Sequence, residues 1–235
     1  MPVYQLSNQS LAFPPVSHAN PDGLLAVGGL LRADWLLKAY SVGLFPWFNP
    51  GEDILWWSPD PRYVILPHEV RIQKSMHSYL NNPKLEFRLD TAFEQVIDLC
   101  AKVPRKGLTG TWISKEMKQA YTNLHDLGMA HSAEIYREGR LIGGLYGVSI
   151  GSVFFGESMF SIEKNMSKLA LIRLCQWLED REFLMVDCQV FSKHIVSMGA
   201  VPVDRSQFIE ALEVGLEANT LRGKWSVDMD RNTEV

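Results

Sequence analysis

A mixed α/β fold, with a small loop-rich region ahead of a larger domain of strands and helices, follows from three features of the 235-residue chain. The first quarter is dense in Pro, Gly and Trp. Three consecutive runs in the middle alternate apolar and polar residues, the period of half-buried strands. A helix-period segment then leads into the nearly all-apolar run FLMVDCQV, the pattern of a strand buried on both faces after a crossover.

In the first quarter, Asp34 is placed to cap a short helix over 35–41, which Gly43 ends. Pro46, Pro50, Pro59 and Pro61 forbid a long helix in FPWFNPGEDILWWSPDPR. The stiff Pro59–Pro61 stretch sets a domain boundary near residue 62, so that residues 1–62 and 63–235 are expected as two domains. Beyond it, RIQKSMHSYL and TAFEQVIDLCAK space their apolar residues helically, and SKEMKQAYTNLHDLG reads as a helix with Ser114 as N-cap and Gly128 as C-cap. HSAEIYRE, LIGGLYGVSI and VFFGESMF are expected as antiparallel strands joined by turns at Gly139-Arg140 and Gly151-Ser152. An amphipathic helix over 165–182, the strand FLMVDCQV, and helices near 192–198 and 205–218 complete a β-β-β-α-β-α order.

Composition narrows the chemistry. With 23 Lys and Arg against 27 Asp and Glu, a surface coated in positive charge for sequence-blind nucleic-acid binding is excluded. The positive excess is local: Lys102, Arg105, Lys106, Lys115 and Lys118 flank Trp112. Cys100, Cys175 and Cys188 never fall in a Cys-x-x-Cys spacing, and the 6 histidines make no His-Glu-x-x-His pattern, so no metal is expected and a reducing cytoplasm fits. The first residues lack the charged start and apolar core of a secretory leader, and no apolar run is long enough to cross a membrane, so neither export nor a membrane span is expected.

Alternation in FLMVDCQV puts Met185, Asp187 and Gln189 on one face and Val186, Cys188 and Val190 on the other. Two polar groups in so apolar a strand need specific partners, either a neighbouring loop that they tie down or a ligand. Glu157, just after Gly156 in VFFGESMF, is open to two readings: a strand-end salt bridge or a contact to a ligand that the glycine lets approach. Trp47 in its proline-bounded loop and Trp112 before a helix are suited to stack on a flat group such as a nucleobase. The strand order invites comparison with acyl-coenzyme A N-acyltransferases, which cradle a pyrophosphate on a glycine-rich turn before the helix. Here that turn reads SIEKNMSK, without glycine, so the fold is expected and the coenzyme is not.

Eight segments, GLLAVGG, AYSVGLFPWF, ILWWSPDPR, GTWIS, GGLYGV, FFGESMFS, NMSKLAL and VDCQV, together resemble the leucyl/phenylalanyl-tRNA–protein transferase family, in the right order along most of the chain. The resemblance implies a small N-terminal domain and an acyltransferase-like C-terminal domain. It further implies, with no cofactor, transfer of Leu, Phe or Met from aminoacyl-tRNA to the N-terminal Arg or Lys of a protein, marking it for degradation as an N-degron. Carried over residue by residue, it makes Asp187 and Gln189 the catalytic pair and places Glu157 at the acceptor's N-terminus. It stacks Trp47 and Trp112 on the terminal adenosine with Tyr40 and Tyr121 nearby, and lines the side-chain pocket with Leu145, Phe154, Leu171, Leu174 and Val186. The basic cluster Arg105, Lys106, Lys115 and Lys118 is expected on acceptor-stem phosphates. Leu30 departs from the family's usual aspartate, the loop VPRKGLT is longer and more basic than its counterparts, and Leu174 stands where an aromatic can occur. Two other classes remain: a coenzyme-A-dependent N-acyltransferase, disfavoured by SIEKNMSK, and a non-catalytic module that reads aminoacyl-tRNA ends through Trp47 and Trp112.

Overall fold

The computed structural model describes residues 3–102 and 113–226. β1 (Tyr4–Leu6), β2 (Leu24–Gly28), β3 (Phe45–Pro46) and β4 (Leu55–Trp57) form a four-stranded sheet ordered β1-β2-β4-β3, with α1 (Ala33–Ser41) inserted between β2 and β3. Asp34 does not cap α1. Its carboxylate accepts instead from the Trp35 N–H (3.0 Å) and from the Arg32 side chain. Gly43 does follow the helix end, at φ 82°.

The second sheet has seven strands, ordered β11-β5-β10-β9-β8-β7-β6. β5 (Arg62–Ile65), β6 (Leu85–Leu89), β7 (Ala130–Arg137), β8 (Arg140–Ile150), β9 (Val153–Ser161), β10 (Met185–Gln189) and β11 (Val201–Val203) supply it. The three expected strands β7, β8 and β9 form the antiparallel centre, and α5 (Met166–Glu179) crosses over to lay β10 parallel to β9. Together they make the mixed α/β arrangement expected from the periodicities. Gly143 lets α5 approach: a Cβ there would stand 2.2 Å from that of Met166.

Each face of this sheet has its own core. On one side lie the first sheet, α1, α3 (Phe93–Lys102), α4 (Lys115–Asp126) and α7 (Arg205–Leu216). On the other side α5, α6 (Lys193–Ser197) and Trp225 pack together. Ser114 caps α4 by accepting from the Met117 N–H at 3.2 Å.

Two further expectations fail. RIQKSMHSYL is not a full helix: α2 covers only His77–Leu80, after a 3-10 turn. The Arg71 N–H is held by the Met198 carbonyl at 2.8 Å, which pins the segment to the end of α6. LEFRL, not expected as a strand, is β6, pairing with β7 from Leu85↔Arg137 to Leu89↔Ala133. Among the described residues, no helix is long and apolar enough to cross a membrane.

Candidate active site

β9 and β10 share backbone pairs only from Val153↔Met185 to Phe155↔Asp187. Both strands are irregular where this pairing stops. The register of β9 on β8 slips between Gly147↔Gly156 and Tyr146↔Ser158, which leaves Glu157 as the extra residue of a bulge. The register of β10 on β5 slips between Asp187↔Val64 and Gln189↔Tyr63, which leaves Cys188 unmatched. Gln189 adopts φ 63°, a left-handed conformation strained for a residue with a side chain. The two bulges re-aim side chains across the opening: Gln189 Nε2 donates to Glu157 Oε1 at 2.8 Å.

Asp187 is fully buried and answers to Arg62 on the neighbouring strand. Arg62 Nε donates to Oδ1 at 2.8 Å and Nη2 to Oδ2 at 2.6 Å, a two-pronged pair with neither side chain exposed. The guanidinium lies 4.7 Å from the Phe45 ring and 4.6 Å from the Phe208 ring, sandwiched between the first sheet and the last helix. Asp187 Oδ1 also accepts the Gln189 N–H at 2.8 Å. The carboxylate therefore braces the backbone turn of Gln189, while the Gln189 amide belongs to Glu157. Of the two readings open to a polar pair in this strand, tying down a neighbour describes Asp187, though through strand β5 rather than a loop.

Glu157 is held differently. Among the described residues no Lys, Arg or His pairs with it. Tyr40 from α1 donates to Oε1 at 2.6 Å and Tyr121 from α4 to Oε2 at 2.8 Å, while the two phenol oxygens lie 2.5 Å apart. Burial pushes the Glu157 carboxyl up to about 7; the Tyr40, Tyr121 and Gln189 hydrogen bonds restrain that rise and the charge of Asp187 adds to it. The same burial, with the Glu157 charge, holds both phenols well above their ordinary range. A strand-end salt bridge is thus not what Glu157 makes.

The structure brings together Tyr40, Tyr121, Glu157, Asp187 and Gln189. Tyr40 and Tyr121 are fully buried, with their hydroxyls spent on Glu157. Leu145, Phe154, Leu171, Leu174 and Val186 are also together, in the core on the opposite face, and Met159 and Cys188 pack against the same cluster. Trp47 is 45% exposed, its ring 5.9 Å from that of Trp57. Trp112, Arg105 and Lys106 lie outside the described residues. Lys115 is exposed, whereas Lys118 is already paired with Asp98, which Lys102 also approaches at 3.7 Å. Arg62 is the site residue that sequence reasoning missed. Its signal lay in the alternation of RYVI, which puts Arg62 and Val64 on one face of the strand.

Residues 64–213 match the family described as leucyl/phenylalanyl-tRNA protein transferase, and residues 29–60 match the N-terminal domain of that family. A protein of Syntrophus aciditrophicus (strain SB) named leucyl/phenylalanyl-tRNA–protein transferase is 49% identical over 226 residues, covering 96% of this chain and 94% of its own. A protein of the same name from Thiobacillus denitrificans (strain ATCC 25259 / T1) is 50% identical over 218 residues, covering 92% of this chain and 95% of its own. Among solved structures, a functionally unknown conserved protein from Staphylococcus epidermidis aligns over 77% of this chain and 68% of its own, at TM-score 0.42 and 11% identity.

Proposed function

The chain belongs to the leucyl/phenylalanyl-tRNA–protein transferase family, aminoacyltransferases that move an aminoacyl group from tRNA to protein, and we propose that it transfers Leu, Phe or Met to an N-terminal Arg or Lys. The product is an N-degron, and the reaction belongs to the cytoplasm. The observation that carries this reading is the Gln189–Glu157 contact across the opening between β9 and β10, where a strained backbone faces a carboxylate held by neutral donors.

An aminoacyl ester is already activated, and an α-amine with a pKa of about 7.7–8.0 is partly neutral at physiological pH. The enzyme's task is therefore placement more than base strength. With its NH2 group on Glu157, Gln189 turns its amide oxygen to accept a hydrogen bond from the attacking amine and so aims the lone pair. Asp187 holds Gln189 in that pose through the backbone N–H. Glu157 receives the cationic acceptor. Trp47 and Trp112 stack on the terminal adenosine, with Tyr40 and Tyr121 behind them fixing Glu157. Leu145, Phe154, Leu171, Leu174 and Val186 line the side-chain pocket and reject branching at Cβ. Arg105, Lys106 and Lys115 lie along acceptor-stem phosphates, and Lys118 contributes less because Asp98 already neutralises it.

The test is transfer of radiolabelled leucine from Leu-tRNA to a protein that begins with Arg. Transfer, falling roughly 10- to 200-fold when Ile-tRNA is the donor, is the expected result. Tight binding without transfer would make the chain a reader of aminoacyl-tRNA ends. Trp47→Ala should raise the KM for aminoacyl-tRNA about 5- to 150-fold, the value of one stacked base, and leave the melting temperature nearly unchanged.

A further inference from the structure

Resting on the transferase reading, we propose that Glu157 is the base that takes the proton from the acceptor's α-ammonium, and that Tyr40 and Tyr121 form with it a ring of hydrogen bonds that the incoming proton completes. The ring has three contacts: Tyr40 to Glu157 at 2.6 Å, Tyr121 to Glu157 at 2.8 Å, and Tyr40 to Tyr121 at 2.5 Å. Two phenols bring two hydrogens. When both are donated to an ionised carboxylate, the Tyr40–Tyr121 contact holds none, and two oxygens face each other through lone pairs. A third proton resolves this. Glu157 Oε1 then donates to Tyr40, Tyr40 to Tyr121, and Tyr121 to Glu157 Oε2, so that every contact carries one hydrogen and each bond polarises the next.

The surroundings favour the same exchange. Glu157 meets Tyr40 from α1, Tyr121 from α4, and Asp187 and Gln189 from β10; Tyr146 of β8 stands by the two phenols, and Arg62 of β5 is committed to Asp187. Thus no cation among the described residues locks the carboxylate in its ionised form. Burial and the Asp187 charge lift the carboxyl to about 7. An acceptor ammonium, at about 7.7–8.0, is matched to it within roughly one unit.

The step balances. An N–H bond of the ammonium breaks with its electron pair left on nitrogen, and an O–H bond forms on Glu157. The free amine attacks the ester carbonyl; the C–N bond forms, the bond from carbonyl carbon to ribose oxygen breaks, and the second amine proton leaves on that oxygen as a hydroxyl. Glu157 then returns its proton to water.

Single-turnover rates at saturating aminoacyl-tRNA and acceptor, followed against pH, test the proposal. Glu157→Gln should slow transfer about 6- to 11-fold at pH 7, the ratio of total to free amine there, and the deficit should vanish as pH rises past the acceptor amine's own pKa, where free amine no longer needs a base. Tyr40→Phe and Tyr121→Phe, which keep shape and remove one donor to the ionised form, should each move the lower limb of the profile to higher pH. A Glu157→Gln enzyme with a raised acceptor KM and an unchanged saturating rate would overturn the proposal and leave Glu157 as a binding carboxylate. So would a carbon-13 carboxyl titration of the free enzyme in which Glu157 is already fully ionised at pH 5. No transfer even by the wild-type enzyme would instead overturn the transferase reading.

Discussion

Asp187 and Glu157 sit on adjacent strands, at and just past the last shared backbone pair, and they meet opposite surroundings. Asp187 is sealed from solvent and gripped on both oxygens by a guanidinium. Glu157 is half-buried and held by two phenols and an amide, all neutral. The contrast teaches that depth alone does not decide what a buried carboxylate does. A full counter-charge commits Asp187 to bracing the backbone, whereas neutral donors leave Glu157 free to gain and lose a proton near neutral pH.

The largest expected effect breaks the Asp187 side of this comparison. Arg62→Met strands a buried carboxylate and should cost about 3–5 kcal/mol in urea unfolding. Arg62→Met with Asp187→Leu removes both charges and should recover most of that loss, yet remain slow in transfer because Gln189 has lost its brace. A double variant as unstable as the single one would mean that the pair is not the self-contained unit described.

The next effect sharpens the Glu157 side. Its folded carboxyl is raised from the ordinary 4.5 to about 7, so the stability this group supports is full below about 4.5 and is lost as pH rises through 7. Glu157→Gln should erase that slope and gain on the wild type by on the order of 2–3 kcal/mol between pH 4.5 and 8, read by thermal or urea unfolding at both pH values. A parallel pH dependence in the two proteins would show that Glu157 is no different from an exposed glutamate.

The smallest effect tests the residue that joins the two. Gln189, from a left-handed backbone, donates its backbone N–H to the Asp187 carboxylate and its side-chain amide hydrogen to Glu157. Gln189→Gly relieves the backbone and Gln189→Ala does not, so the glycine variant should be about 1 kcal/mol the more stable while both transfer poorly. Equal stabilities would remove backbone strain from the account of this site.

Much of the frame was legible in the chain. The alternation of β7, β8 and β9, the crossover helix and the all-apolar β10 all followed from period, because long elements repeat their signal several times. Three-residue strands such as β1 and β11 are too short to repeat anything. The alternation in LEFRL was present, but the segment lies between two helix-period runs that outweighed it. Within the site, Asp187 and Gln189 stood out as polar residues in an apolar strand. The bulges that re-aim Gln189 and Glu157 did not, since an extra residue leaves the composition unchanged. Arg62 escaped for a different reason: the alternation of RYVI places it on the face of Val64, but the carboxylate that meets it there is 125 residues away.

The clasp on Arg62 also has a consequence for synthesis. One wall of the clasp is Phe45 and the other is Phe208. A growing chain presents Phe45 long before Phe208, and the second wall is in place only once α7 has been translated and has docked. Until then one face of the guanidinium is uncovered, and the brace that runs from it through Asp187 to Gln189 stands open to water. The rigidity of this brace therefore arrives with α7, and a chain cut short before it carries Arg62, Asp187, Gln189 and Glu157 without the second wall.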